Sequence, residues 1–309
     1  CWSWKYKIQF TPLDKTLPFN GCYLLMNNYL NKIIIIKGKN LFLKAKKLIR
    51  SCVKNEKINH SILVNSFPKS GTHLLEQIVK PFPNSDNFGF FIASAPSRPH
   101  IVRDEVTHKK LISKIIPGEL VRGHLFYSSQ NARLLLEKNV IQFFIYRDLR
   151  DVVVSEALYL TYMNKWHQLH SYFANKLHDD HERIKAAITG IESNNFYYPD
   201  IRTRWENYSG WLKENQVFSV KYEDLISDCR EIYVREMIKF YQSESNLNFD
   251  TDLQLNECLK AINPEKSHTF RKGGSGNWKK HFSNEHNQLF KHYAGDILID
   301  LGYEENLNW

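Results

Sequence analysis

The sequence predicts an α/β protein, a single domain in which a central parallel β-sheet is flanked by helices. Three observations lead there. From Ser61 onward, short apolar runs alternate with stretches of helical periodicity, the pattern of strands buried on both faces and joined by crossover helices. The clearest unit, Ile62–Leu75 (ILVNSFPKSGTHLL), links an apolar run to a helical pattern through one tight turn. No internal repeat or low-complexity linker interrupts the chain. Its 309 residues fit one large α/β domain or two small ones, with ample length for a buried core.

Taken in order, residues 1–60 differ from the rest and read as an N-terminal extension without an assigned role, ahead of a domain over 61–309. Ile33–Ile36 is apolar but lies between Lys32 and Lys37; it is too short for a signal-peptide core or for the ~20 residues of a transmembrane helix. Leu41–Cys52 has the spacing of a basic amphipathic helix, with Leu41, Leu48, Ile49 and Cys52 set against Lys44, Lys46, Lys47 and Arg50. A membrane surface and the body of the domain are both open as its support, and the rarity of interfacial anchors favours the domain. Ile62–Val64 opens the sheet, Phe67–Thr72 turns the chain, and Leu74, Leu75, Ile78 and Val79 carry a helix. Further strands are predicted at Leu120–Arg122, Val140–Tyr146 and Val217–Lys221. Helices are predicted at Ser129–Leu136, Asp151–Asn164, Ile201–Lys213, Leu225–Tyr241 and near Glu285–Leu301. Phe82–Pro99, rich in Pro, Ser, Asn and Phe, reads as a loop over the sheet edge, where a substrate lid is commonly found.

Lys and Arg outnumber Asp and Glu by 42 to 33, a formal charge of +9. That excess suits an anionic ligand, a nucleic acid or an acidic membrane, and charge alone does not choose among them. The five cysteines (Cys1, Cys22, Cys52, Cys229, Cys258) form no C-x-x-C pair, which argues for reduced thiols in a cytoplasmic setting and against a disulfide framework or zinc site. His178-Asp179-Asp180-His181 has metal-ligand residue types but reads as an exposed polar turn; no metal site is expected.

Four stretches carry chemistry. In Phe67–Thr72 a strand, a tight loop and a helix N-terminus come together, which suits a phosphate or sulfate cradle. Gly71 allows close approach of the backbone, Lys69 brings a mobile cation, and Ser70 and Thr72 bring hydroxyls able to cap the helix. It is not a nucleoside-triphosphate loop, because Lys69 precedes the single glycine instead of following a second one. In Ile141–Tyr159, Arg147 leaves a strand end and Ser155 follows about two helical turns later, so a second phosphate fits between guanidinium and hydroxyl. The competing reading pairs Arg147 and Arg150 with Asp148 and Asp151 as surface ion pairs. In His268–Phe282, Arg271 and Lys272 precede three glycines in four positions, Gly273 first among them; such a loop closes on a ligand or forms a flexible basic turn, and Trp278 either packs it down or stacks on a base. In Leu120–Tyr127, His124 sits just past a strand end, where a neutral imidazole takes a proton from a hydroxyl or serves only the structure.

These stretches, in this order, resemble the cytosolic-type sulfotransferases over about Ser61–Gly302. FPKSGTHLL is similar to that family's loop for the 5′-phosphosulfate of 3′-phosphoadenosine-5′-phosphosulfate (PAPS). YRDLRDVVVS is similar to its 3′-phosphate segment, and RKGGSGNWKKHF to its late glycine-rich segment. VRGHL stands at the place of the catalytic base, and SVKYEDL resembles the segment whose tyrosine lies near the adenine. The resemblance implies a P-loop-like, nucleotide kinase-like sulfotransferase fold. It implies donor contacts from Lys69, Ser70, Gly71, Thr72, His73, Arg147, Ser155, Tyr222, Arg271, Lys272 and Gly273, with His124 and Lys69 catalytic. PAPS is the implied co-substrate, released as 3′-phosphoadenosine-5′-phosphate (PAP), with no metal. The implied acceptor is a small molecule bearing a hydroxyl or amine, such as an aromatic compound or a natural product. His73 and Leu74 replace the family's usual Thr-Trp, and Asn277 replaces a usual aspartate. Of the family's dimer signature, expected on Lys279–Gln288, only Lys279 matches, so the oligomeric state stays open. Phe88, Phe90, Phe91, Tyr127, Tyr159, Tyr162, Trp166, Tyr172 and Phe173 fall in or near the segments expected to line the acceptor pocket, those on helices being core by preference. An ATP-dependent small-molecule kinase of similar architecture and a basic nucleic-acid-binding module are the alternatives. The first lacks its glycine–lysine–hydroxyl loop. The second explains the clustered cations less well, so no nucleic-acid partner is expected.

Overall fold

The structure, a computed structural model, describes residues 38, 40–51, 58–98, 101–193, 196–263 and 274–309. The chain divides into two compact units, 1–52 and 53–309. In the first, residues 40–51 form a helix (α1) over most of the expected span, and Cys52 lies outside the described residues.

The second unit runs in the order β1 (Ser61–Ser66), α2 (Thr72–Val79), β2 (Phe91–Ala93), α3 (Glu105–Ile112), β3 (Leu120–His124), α4 (Ser129–Glu137), β4 (Val140–Tyr146), α5 (Leu149–Leu158), α6 (His170–Asn175), α7 (Asp180–Thr189), β5 (Ile191–Ser193), β6 (Phe196–Tyr198), α8 (Ile201–Ser209), β7 (Val217–Lys221), α9 (Tyr222–Ile226), α10 (Arg230–Ser245), α11 (Thr251–Ala261) and α12 (Asn284–Asp300). Five strands form one sheet in the order β2-β3-β1-β4-β7, and every neighbouring pair is parallel. β5 and β6 make a separate antiparallel hairpin.

The apolar runs are short because each strand is covered on both sides. Leu63 and Phe144 join one core cluster, under α4, α5, α7, α8 and α12. Their sequence neighbours Ile62, Val64, Phe143 and Ile145 join the other, under α2, α10 and α11. This is the alternation of a pleated strand with two buried faces. β1 lies in the middle, with β3 and β4 on either side, so the chain reverses its direction of winding there. In an open parallel sheet such a switch point opens a crevice beyond the strand C-termini. Ser66, His124, Tyr146 and Lys221 close their strands on that edge.

Several expectations are corrected. Leu225–Tyr241 is not one helix. α9 stops at Ile226, where the Ser227 hydroxyl donates to the Asp224 carbonyl (3.0 Å) and accepts from the Cys229 N–H (3.2 Å). This local turn replaces the helical ladder. The helix expected over Asp151–Asn164 starts at Leu149 and turns into a π-helical segment at Tyr159–Met163, and the one expected over Ile201–Lys213 ends in a 3₁₀ turn at Gly210–Lys213. Phe82–Pro99 is not all loop, since it contains the edge strand β2, whose three residues are too few to show a period. Asp179 caps α7 and Asp180 pairs with Arg183, so the His-Asp-Asp-His run starts a helix. Among the described residues, no helix is long and apolar enough to cross a membrane, and no cluster of three or more His, Cys, Asp or Glu is arranged to hold a metal ion.

Candidate active site

A cavity of about 1060 Å³ opens at the C-terminal edge of the sheet. Lys69, Gly71, Thr72, His73, His124, Arg147, Ser155 and Tyr222 all line it. They come from the ends of β1, β3, β4 and β7 and from the helices that follow, so a parallel sheet brings together residues up to 153 positions apart in the chain (69 to 222).

The first loop leaves β1 as a turn in which the Ser70 N–H donates to the Phe67 carbonyl (3.2 Å). Lys69 takes a left-handed φ of 69° and Gly71 a φ of 101°. A Cβ on Gly71 would meet the Tyr222 ring at 2.5 Å, so only glycine allows both the turn and this contact. No side chain caps the N-terminus of α2. The N–H groups of Leu74 and Leu75 donate to the Gly71 carbonyl (2.9 and 3.1 Å), which leaves those of Thr72 and His73 at the positive end of the helix dipole for a ligand. The expected capping by Ser70 and Thr72 does not occur. The Thr72 hydroxyl instead bonds that of Ser66 (2.6 Å). Ser70 is fully buried, its Oγ has no hydrogen-bond partner, and it does not line the cavity.

His124 ends β3. The neighbouring chain is held by Asn65, whose side chain accepts from the Leu125 N–H (2.8 Å) and donates to the Leu125 carbonyl (3.1 Å). Nδ1 of His124 lies 3.1 Å from the Ser66 carbonyl and 3.0 Å from the Ser66 hydroxyl. A carbonyl only accepts, so in the tautomer that satisfies the Ser66 carbonyl Nδ1 carries the proton and the neutral ring presents Nε2 as its lone-pair nitrogen. Burial lowers the pKa of His124 to about 4. The Ser66 carbonyl opposes this, and the positive charge of Lys69 adds to it. The ring is therefore neutral at pH 7.

Arg147 leaves the end of β4. Its Nη2 donates to Asp151 (2.9 Å) and to the Gly274 carbonyl (2.8 Å), and its guanidinium lies over the Tyr222 ring at 4.6 Å. Nε is buried and has no hydrogen-bond partner. The ion pairs weighed from the sequence are present, Arg147 with Asp151 and Arg150 with Asp148, but they are buried, not superficial. They also differ in use. Arg150 is packed between Trp278 (4.0 Å) and Trp309 (4.5 Å), away from the cavity, whereas Arg147 faces it.

Arg271, Lys272 and Gly273 lie outside the described residues. The segment that follows them does reach the site. Asp151 accepts from the N–H groups of Gly276 and Trp278, both at 2.9 Å. Trp278 is buried against Phe282, Trp309 and Arg150, so it packs the loop down and does not line the cavity.

A family model for the sulfotransferase domain matches residues 59–302. The chain belongs to the sulfotransferase family. A flavonol sulfotransferase-like protein of Flaveria bidentis is 23% identical over 326 residues, covering 93% of this chain and 97% of that one. Two solved structures share the fold at a TM-score of 0.52 and 16% identity. One is a mouse sulfotransferase, SULT7A1, complexed with PAP, aligned over 79% of this chain and 89% of its own. The other is a retinol dehydratase in complex with androsterone and inactive cofactor PAP, aligned over 78% and 81%. The chain is thus a sulfotransferase enzyme with the α/β fold of its family.

Around the rest of the cavity this sulfotransferase departs from the aromatic residues named from its sequence. Of those, Phe91 and Tyr159 line the cavity. Phe173 is core, Tyr127 packs on Trp211 and donates to Glu214, and Trp166 is exposed. Phe126, Tyr197, Tyr198 and Tyr208 take their place. The last three come from β6 and α8, elements that tertiary packing folds back over the sheet. Asp151 also does more than its place in the sequence indicates. Its one sequence signal is its place four residues after Arg147 in the first turn of a helix, which marks an ion pair but not a hub for a third segment.

Proposed function

We propose that this sulfotransferase transfers the sulfuryl group of PAPS to a hydroxyl or amine of a small-molecule acceptor, with His124 as general base. The supporting observation is the convergence of Lys69, His124, Arg147, Ser155 and Tyr222 on one cavity at the sheet's switch point. The residues present fit the nucleotide. Arg147 keeps a buried Nε that makes no hydrogen bond, its nearest acid being Glu223 at 4.0 Å, and such a donor suits a phosphate oxygen. Gly71 lets the backbone approach, and the uncapped start of α2 offers N–H donors. The cavity, at about 1060 Å³, reaches the top of the roughly 300–1,000 Å³ usual for one drug-sized ligand, as a site for donor and acceptor together requires.

In this reading the loop Lys69–Thr72, with His73, holds the phosphosulfate. Arg147 and Ser155 hold the 3′-phosphate, together with Arg271, Lys272 and Gly273, and Tyr222 lies beside the adenine. The acceptor oxygen attacks sulfur while its proton passes to Nε2 of His124. The bond from sulfur to the bridging oxygen breaks, its electron pair leaves with PAP, and Lys69 and the α2 N–H groups stabilise the charge gathering on that oxygen. Fixed cations and amides carry the electrostatic work. Phe91, Phe126, Tyr197 and Tyr208 give the acceptor side flat apolar walls, suited to an aromatic acceptor or a natural product. Residues 61–309 carry this chemistry. Cys229 and Cys258 are free thiols, in keeping with a cytoplasmic setting.

A thermal-shift comparison of PAP with ATP and magnesium tests the donor. PAP at 100 times its Kd raises stability by about 2.7 kcal/mol, and ATP with magnesium does not match it. Stabilisation by ATP–magnesium alone would favour a kinase instead.

A further inference from the structure

The ammonium of Lys69 lies over the ring of Tyr159, 3.7 Å from its centroid. Both residues are held in unusual backbone. Lys69 is one of the few non-glycine residues with a left-handed φ, here 69°, which fixes the direction in which its side chain leaves the loop. Tyr159 is the first residue of the π-helical segment Tyr159–Met163, just beyond α5. Such segments within helices often mark functional positions, because they re-aim the side chains they carry. The Tyr159 hydroxyl accepts from Nδ2 of Asn164 (3.0 Å), and the Asn164 N–H donates to the Tyr159 carbonyl (3.0 Å). The ring is thus tied at both ends of the segment. The Tyr159 N–H in turn donates to the carbonyls of Ser155 and Glu156, so Ser155 and Tyr159 share one face of the helix, one turn apart.

We propose that Tyr159 is a positioning residue for Lys69. The negative face of its ring takes the place of part of the ammonium's water shell. The cation is thereby kept at the cavity wall, partly dehydrated and aimed at the bridging oxygen of the donor. The proposal rests on the assignment of Lys69 given above. It makes the helix that presents Ser155 also the mount for the cation of the first loop. The requirement is for an aromatic face; the phenol hydroxyl takes no part in the transfer.

The test is a comparison of Tyr159→Leu with Tyr159→Phe, each with Lys69 intact and with Lys69→Ala. Tyr159→Leu lowers kcat by roughly 3- to 30-fold, the range of one partly desolvated cation–π contact. PAP affinity by calorimetry stays within about threefold, which shows that the nucleotide site is still folded. Tyr159→Phe recovers most of the lost turnover. In the Lys69→Ala background, Tyr159→Leu costs little more, because the contact is already gone. Any of these outcomes overturns the proposal: Tyr159→Leu raises the acceptor KM with kcat unchanged, Tyr159→Phe is as impaired as Tyr159→Leu, or the two losses simply multiply. If Lys69→Ala alone leaves turnover intact, the assignment of Lys69 fails first and the proposal falls with it. If that variant is impaired and Tyr159→Leu is not, only the positioning role is lost.

Discussion

At His124 the fold decides what one side chain does. The Ser66 carbonyl favours the tautomer with the proton on Nδ1, and burial lowers the pKa to about 4. The ring is thus free to accept a proton at neutral pH, but burial makes it a weak base. Lys69 contributes to that weakness, and on the proposed placement of the donor its negative charge beside Lys69 would offset it. The pKa of His124, followed by NMR and identified by the loss of one signal in His124→Ala, is expected near 4 without ligand and higher with PAP. A value at or above the ordinary 6.5 in the free protein would contradict this reading. His124→Ala should lose about two to four orders of magnitude in turnover, as for a missing general base, while its calorimetric affinity for PAP persists. Near-normal turnover would remove His124 from the chemistry. For Lys69→Ala, a loss of about two orders of magnitude or more in kcat is expected if it resembles the removal of one preorganised donor.

At the scale of elements, the site depends on how loops meet. Gly71 combines a left-handed φ with contact against Tyr222. Gly71→Ala is therefore expected to destabilise the fold by more than about 1 kcal/mol in urea unfolding and to weaken PAP binding. Asp151 joins the start of α5 to the segment after Gly274 through Arg147 and two backbone N–H groups. Its replacement by alanine breaks a buried pair and leaves those donors unpaired, a loss of roughly 3 kcal/mol. Increased amide exchange at Gly276 and Trp278 would be the specific sign, and unchanged protection there would show that the segment is held by Trp278 packing instead. The strands and most of their helices were legible, because alternation and helical period survive in one sequence. Phe91–Ala93 was not, since three residues carry no period. Nor was the break after Ile226, since it depends on one serine hydroxyl that competes with the helix.

At the scale of the whole molecule, His60, His108 and His286 are held below the usual imidazole range by burial, and His124 behaves likewise. As pH falls through about 6.5, the unfolded chain takes up protons that the native state refuses, so stability falls with pH. Calorimetry should find a Tm that declines between pH 7 and pH 5; a Tm that rises over this interval would show that these histidines are charged in the folded protein.

The sequence by itself determined the parallel sheet, the three cationic segments and the candidate base. Apolar period, glycine placement and the order of motifs are local properties that one chain displays. Only the tertiary structure decided that Lys69, His124 and Arg147 open onto one cavity, that Asp151 ties the late segment to the second, and that Tyr197, Tyr198 and Tyr208 line that cavity in place of Tyr127 and Trp166. Those are matters of which strand ends share an edge and which helices fold back over it. They follow from how the packed elements cover both faces of the sheet, and no spacing within a single element encodes them.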